Sequence, residues 1–249
     1  ILPQPMFVLS YYEREEEVKR QINFAKCIDE VNSRHVLPQR LLITNSEASL
    51  SEDQVKKHFR SIDDFSAKIE ADPANPLNYY ARAMDFYLVQ DFDNAIKDLD
   101  ETLKRDSTFV PAYFSRAVIY YKQLEFRKRD KTYELNPGDA QAQNQVRTFD
   151  YNRIREDLDE VIRLAPDFVF AYYNRANILS VMKDYRAALA DYNKAIELDP
   201  KFAEAYYNRG LTNIYLGNNR QGIQDLSKAG ELGLFSAYNI IKRFTAPNE

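Results

Sequence analysis

The sequence predicts an all-α fold of stacked antiparallel helix pairs. Three observations carry this expectation. A six-residue block recurs at 78–83, 112–117, 171–176 and 205–210, and its arginines, Arg82, Arg116, Arg175 and Arg209, step by 34, 59 and 34 residues. A second set, Asp98, Asp157, Asp191 and Asp225, steps by 59, 34 and 34, so one repeat carries 25 extra residues between Arg116 and Asp157. Only 6 glycines stand among 249 residues, of which 29% are charged and 45% apolar. That balance suits helices better than a sheet with many tight turns.

Each repeat position has a packing reason. Position 4 is aromatic (Tyr79, Tyr113, Tyr172, Tyr206) and position 8 is small (Ala83, Ala117, Ala176, Gly210). Position 20 is Ala95, Ile154, Ala188 and Gly222, and position 24 is Leu99, Leu158, Tyr192 and Leu226. Small residues let the two helices of a repeat approach, and large ones fill the hollow between them. Pro166 and Pro200 stop the second helix, while Ser107 and Leu234 stand at that place in the other repeats.

The organisation follows in chain order. Residues 1–50 read as an extended segment plus a helix, from Glu13 to Asn32, packing on the array. The apolar start, residues 5–12, docks on the array or on sequence upstream. Residues 36–49 read as extended or irregular. The array spans 51–244. Ser51 to Gln54 is a capping box, with Leu50 and Val55 as a hydrophobic staple, opening a degenerate helix over 52–71. Repeats follow at 76–109, 110–168, 169–202 and 203–236, and a capping helix at 237–244 covers the last one. The insertion, 125–149, holds a turn signal at Asn136-Pro137-Gly138-Asp139. It either lengthens both helices into a projecting hairpin or forms a disordered loop. Its basic run, Arg127 to Lys131, is either a site for an acidic partner or phosphates or a wetted surface.

Composition narrows the function. The formal net charge of −4 gives no electrostatic reason to expect nucleic acid as a partner. No apolar run approaches the roughly 18 residues that a membrane span needs. The chain begins with Ile1 rather than Met, which reads as a processed protein or an excised fragment. His35, His58 and Cys27 fit no metal-ligand spacing, and no glycine-rich phosphate loop or nucleophile elbow is present. Cys27 lies near the apolar stripe of its helix and reads as a buried, inert thiol. The expectation is a non-enzyme without catalytic residues, cofactor or metal. Arg82–Asp98, Arg175–Asp191 and Arg209–Asp225 are each 16 apart, and Arg116–Asp157 is 41 apart. These pairs either fix repeat registry or form an arginine ladder for an acidic ligand.

The 34-residue period and these positions resemble the tetratricopeptide repeat family, and Tyr172 to Pro200 is the cleanest copy. The resemblance implies a right-handed α-α superhelix whose first helices line a concave groove that holds a peptide or protein segment. On this alignment the groove residues are Tyr80, Met84, Tyr87, Phe114, Val118, Tyr121, Tyr173, Asn177, Tyr207, Leu211 and Tyr215. Such a surface is apolar and aromatic, and anchors partners well; alternatively these side chains are core or lie under the N-terminal segment. Members that grip acidic chaperone tails use a lysine at position 5. Here position 5 is aromatic throughout, although Asn177 matches position 9 and Asn174 and Asn208 match position 6. That clamp is not expected.

The leading expectation is therefore a protein-interaction scaffold. The alternative is a structural or self-assembling module whose groove is filled by its own or a neighbouring chain, with a homo-oligomer as one form. The motifs at residues 5–12, 50–54, 225–233 and 236–244 resemble long tetratricopeptide repeat proteins of Gram-negative gut anaerobes. That resemblance implies a C-terminal portion in the periplasm or cell envelope, the alternative being the cytoplasm.

Overall fold

The computed structural model describes residues 4–10, 26–34, 37, 40–45, 49–129 and 140–245. Eleven helices stand among them. They are α1 (Lys26–Ser33), α2 (Glu52–Ala71), α3 (Pro76–Leu88), α4 (Phe92–Arg105), α5 (Val110–Arg129), α6 (Ala140–Leu164), α7 (Val169–Val181), α8 (Tyr185–Leu198), α9 (Ala203–Tyr215), α10 (Asn219–Glu231) and α11 (Ser236–Thr245). Two short strands, β1 (Val8–Ser10) and β2 (Leu42–Thr44), complete the set. The all-α expectation holds: consecutive helices pack as adjacent pairs. The insertion adds to α5 at its end and to α6 at its start, and its turn at 136–139 lies outside the described residues. So do residues 13–25 of the expected first helix.

Two compact units form, Phe7–Ala165 and Pro166–Glu249, the latter with Ile1–Met6. In the first, Ser51 and Gln54 cap α2 reciprocally: the Gln54 N–H donates to Ser51 Oγ at 3.3 Å and the Ser51 N–H to Gln54 Oε1 at 2.8 Å. Helix α3 packs between α2 and α4, and α5 between α4 and α6. The ribbon of β1 and β2 is antiparallel, with Val8 opposite Thr44 and Ser10 opposite Leu42. Both β1 and α1 pack on α5, and Phe7, Leu9, Ile28 and Leu41 are fully buried. The carboxamide of Asn32 brackets Leu41, donating to its carbonyl at 3.1 Å and accepting from its N–H at 2.6 Å. In the second unit, α7 to α11 pack in sequence.

The repeat turns follow one chemistry. Gln90, Lys183 and Gly217 all take positive φ, 64°, 65° and 83°, one residue beyond the cap of the first helix. The next N–H then reaches back five residues, from Asp91 to Phe86, Asp184 to Leu179 and Asn218 to Asn213. This closes the carbonyls of the helix end. Asp91 and Asp184 then cap the following helix, each accepting an N–H at 3.2 Å. In the repeat with the insertion, helix α5 runs straight through the equivalent residue, Leu124.

Three of the four position-4 tyrosines tie their repeat to the segment before it. The hydroxyls of Tyr79, Tyr113 and Tyr172 donate to the carbonyls of Pro73, Ser107 and Pro166, at 3.3, 3.3 and 3.1 Å. The small positions serve close approach: a Cβ on Gly222 would lie 2.7 Å from the carbonyl oxygen of Gly210.

Candidate peptide-binding face

The recurring arginines are bidentate. Nε and Nη2 of Arg82, Arg116, Arg175 and Arg209 meet both oxygens of Asp98, Asp157, Asp191 and Asp225 at 2.5–2.9 Å. Each joins the two helices of its repeat. The remaining Nη1 of three of them reaches back 16 residues to the preceding helix: Arg82 to Ser66, Arg116 to Asp100 and Arg209 to Asn193, at 2.9, 2.6 and 2.8 Å. One guanidinium thus fixes the register within a repeat and between repeats. Burial pushes the Asp98 and Asp157 carboxyls up against the downward pull of their arginines. The Asp98 pairing in turn raises Arg82. The pairing offsets desolvation, and its loss leaves a buried charge unmatched.

The expected groove residues divide by burial, and the picture of an open aromatic groove needs correction. Tyr80, Met84, Phe114, Val118, Tyr173, Tyr207 and Leu211 are buried. Tyr87, Tyr121 and Asn177 are half-buried, and Tyr215 alone of the set is widely exposed, at 66%. The reason is helical geometry: positions 5 and 9 are one turn apart on a single stripe, and that stripe is packed. The Tyr80 ring meets Phe109 edge-on at 5.0 Å and its hydroxyl lies 3.3 Å from Ser115 Oγ. Tyr173 packs on Phe202 at 4.8 Å and on Tyr192 at 6.1 Å. Tyr215 stacks on Tyr185 at 6.2 Å.

In the second unit, Tyr173 of α7 and Asn208 of α9 hold the backbone of Gln4 and Pro5. Asn208 accepts the Gln4 N–H at 2.7 Å and its Nδ2 lies 3.1 Å from the Gln4 carbonyl. The Tyr173 hydroxyl stands 3.1 Å from the Gln4 carbonyl and 3.0 Å from that of Pro5. Behind them, Asn208 Nδ2 also reaches the Tyr173 hydroxyl and Asn177 Oδ1, both at 2.9 Å, and the Tyr192 hydroxyl donates to Asn177 Oδ1 at 2.6 Å. Burial pushes the hydroxyls of Tyr173, Tyr192 and Tyr207 up, so all three are donors at neutral pH. The cluster is a buried polar network aimed at main chain. Sequence reading placed Tyr173 and Asn177 in the groove, offered docking on the array for the segment that begins at Pro5, and noted Asn208 at position 6, but it gave Gln4 no role. The one available signal was position 6, which is Ala81, Ser115, Asn174 and Asn208.

Among the described residues, no group of three His, Cys, Asp or Glu side chains could hold a metal ion. No described helix is long and apolar enough to cross a membrane.

Sequence models of the tetratricopeptide repeat match residues 169–202 and 191–224. Among curated proteins, the tetratricopeptide repeat and J domain-containing co-chaperone DNJ1 of Cryptococcus neoformans var. grubii is 28% identical over 105 residues, which is 41% of this chain and 20% of that protein. The match thus spans a fifth of that relative's length. The crystal structure of MamA is similar at a TM-score of 0.59 and 18% identity, covering 77% of this chain and 99% of that one. MamA from Desulfovibrio magneticus RS-1 (residue 41 to its end) gives 0.56 and 15%, covering 72% and 90%. TTC0263, a thermophilic tetratricopeptide repeat protein of Thermus thermophilus, gives 0.50 and 13%, covering 72% and 84%. At these identities the structural likeness is one of fold. Residues 169–224 thus match tetratricopeptide repeat sequence, and the rest of the chain shares the fold of such proteins.

Proposed function

We propose that this chain is a protein-interaction module that holds an extended polypeptide segment on the first-helix faces of its repeats, and that it is not an enzyme. The observation that supports this is the bracket of Asn208 on Gln4. One carboxamide meets both backbone groups of one residue, and Tyr173 supplies a further hydroxyl. Main-chain hydrogen bonds of this kind give affinity for any chain of the right conformation, as in strand addition. In the same unit, the exposed ring of Tyr215 supplies apolar contact.

The test is capture from a native extract on the immobilised full chain, comparing wild type with Tyr173→Phe/Asn208→Ala of unchanged helicity. A protein retained by wild type and released by the variant supports the reading; equal retention overturns it. A second reading is favoured by the same contact, since a segment of this chain already sits there. In that case the site is structural and takes the N-terminal segment of its own or a neighbouring copy. Light scattering across a dilution series separates the two, because exchange between copies depends on concentration. The terminal motifs support a periplasmic or envelope location, and fractionation that finds the protein in the cytoplasm overturns it. No nucleic-acid partner is part of the proposal.

A further inference from the structure

Asn208 touches only the backbone of its occupant, so conformation is selected there, while the Gln4 side chain is met separately by the Tyr207 hydroxyl. In an extended chain the N–H and C=O of one residue point to the same side, as in a paired strand residue. Both groups of Gln4 meet one carboxamide, so the site demands an extended residue. The chain makes the same bracket elsewhere, from Asn32 to Leu41. There the bracketed residue adjoins β2, whose pairing with β1 holds it extended. Gln4 lies outside both strands, and the residue after it is Pro5. A residue before proline is sterically confined to the extended region. Proline thus does at Gln4 what strand pairing does at Leu41. The receiving side chains are set in advance: Asn177 Oδ1 accepts from Tyr192 and Asn208 at 2.6 and 2.9 Å, and the Tyr173 ring is fixed 4.8 Å from Phe202.

We propose that the ligand of this site is an extended Xaa–Pro segment of a partner protein, which takes the place of Gln4–Pro5, and that the chain's own segment is its resident competitor. This rests on the reading of the chain as a peptide-binding module. It names the ligand class: the Xaa backbone enters the Asn208 bracket, its carbonyl and that of the proline face the Tyr173 hydroxyl, and the Xaa side chain meets the Tyr207 hydroxyl, as that of Gln4 does. Binding in trans exchanges one set of main-chain hydrogen bonds for an identical set. Affinity in the wild-type chain is therefore reduced by the fraction of molecules whose site is already filled.

The test uses a fluorescein-labelled peptide of residues 2–10 and fluorescence anisotropy against the full chain. Replacing Pro5 by Ala in the chain frees the resident segment to sample more conformations, and binding of the labelled peptide is expected to tighten about two- to five-fold, the range a proline gives by restricting an unbound chain. The same replacement in the peptide weakens it by about the same factor. Tyr173→Phe, which keeps the packed ring, and Asn208→Ala are each expected to weaken binding to the Pro5→Ala chain. Equal binding of the proline and alanine peptides overturns the Xaa–Pro assignment and leaves the extended-segment reading intact. Binding indifferent to both Tyr173→Phe and Asn208→Ala, or no binding to the Pro5→Ala chain, overturns both.

Discussion

Arg116 offers a comparison within one side chain. It holds Asp157 through Nε and Nη2, at 2.9 and 2.5 Å, and Asp100 through Nη1 at 2.6 Å. The distances are similar, so the difference between the two pairs is solvent. The Asp157 side chain is 7% exposed and that of Asp100 is 51% exposed. Removing Asp157 leaves Nε and Nη2 of a guanidinium that is itself only 20% exposed unmatched, with the exposed Asp100 on Nη1 alone. Breaking such a buried pair costs about 3–5 kcal/mol, and the residual exposure of Arg116 puts the expectation near the lower figure. Removing Asp100 takes away an exposed pair worth about 0–1 kcal/mol. Asp157→Ala should therefore destabilise by about 2 kcal/mol more than Asp100→Ala, roughly a thirty-fold difference in the folding equilibrium. Urea melts followed by far-UV circular dichroism measure this, with equal slopes showing that the comparison is sound. Replacing both Arg116 and Asp157 by leucine should recover much of the loss, since no charge is then stranded. Equal destabilisation by the two single variants would refute the argument that burial, rather than mere proximity, makes the repeat pairs matter. An Arg116→Ala chain of undiminished stability that lost binding to an acidic partner would instead support the ligand-ladder reading.

Gly222→Ala places a Cβ 2.6 Å from Ile214 Cγ1 and 2.7 Å from the Gly210 carbonyl oxygen; the helix pair must part, and a loss of about 1–3 kcal/mol is expected in the same melts. Gln90 holds φ at 64°, which an L side chain adopts at a cost, so Gln90→Gly should stabilise by up to about 1 kcal/mol; a loss of stability would show that the turn is not strained. Burial raises the hydroxyls of Tyr173 and Tyr192 above the ordinary value of 10.0. The folded chain then keeps protons that the unfolded chain releases, so their contribution is complete below about pH 10 and is lost as pH climbs towards the raised folded values. In an alkaline titration these two should ionise only as the helical signal disappears, and ionisation of all 18 tyrosines at ordinary values with helix retained would contradict their burial.

Much of the fold was legible because its chemistry is periodic. A 34-residue step is one helix pair, and the residues that touch across it recur at fixed offsets. The small residues that let helices close on each other, Gly210 and Gly222, and the partners of each arginine could be read from spacing alone. Even with the insertion, the Arg116–Asp157 pairing is kept, because the added residues stand at the end of α5 and the start of α6, away from both partners in the chain. The aromatics at positions 5 and 9 left two readings open for a physical reason: a stripe on a first helix looks the same in sequence whether it faces an open groove or the next helix. Tyr80 against Phe109 and Tyr173 against Phe202 show that here much of it is packed.

By itself, then, the sequence determined the helix pairs, their repeat length and the charged pairs that fix their register, since all of these lie within a few tens of residues and are repeated. Only the tertiary structure decided which aromatics remain accessible, that residues 8–10 and 42–44 pair as strands, and that Asn208 takes Gln4 across 204 residues of chain. A contact made once, between segments so distant and through backbone atoms common to nearly every residue, leaves no periodicity and no side-chain signature to read.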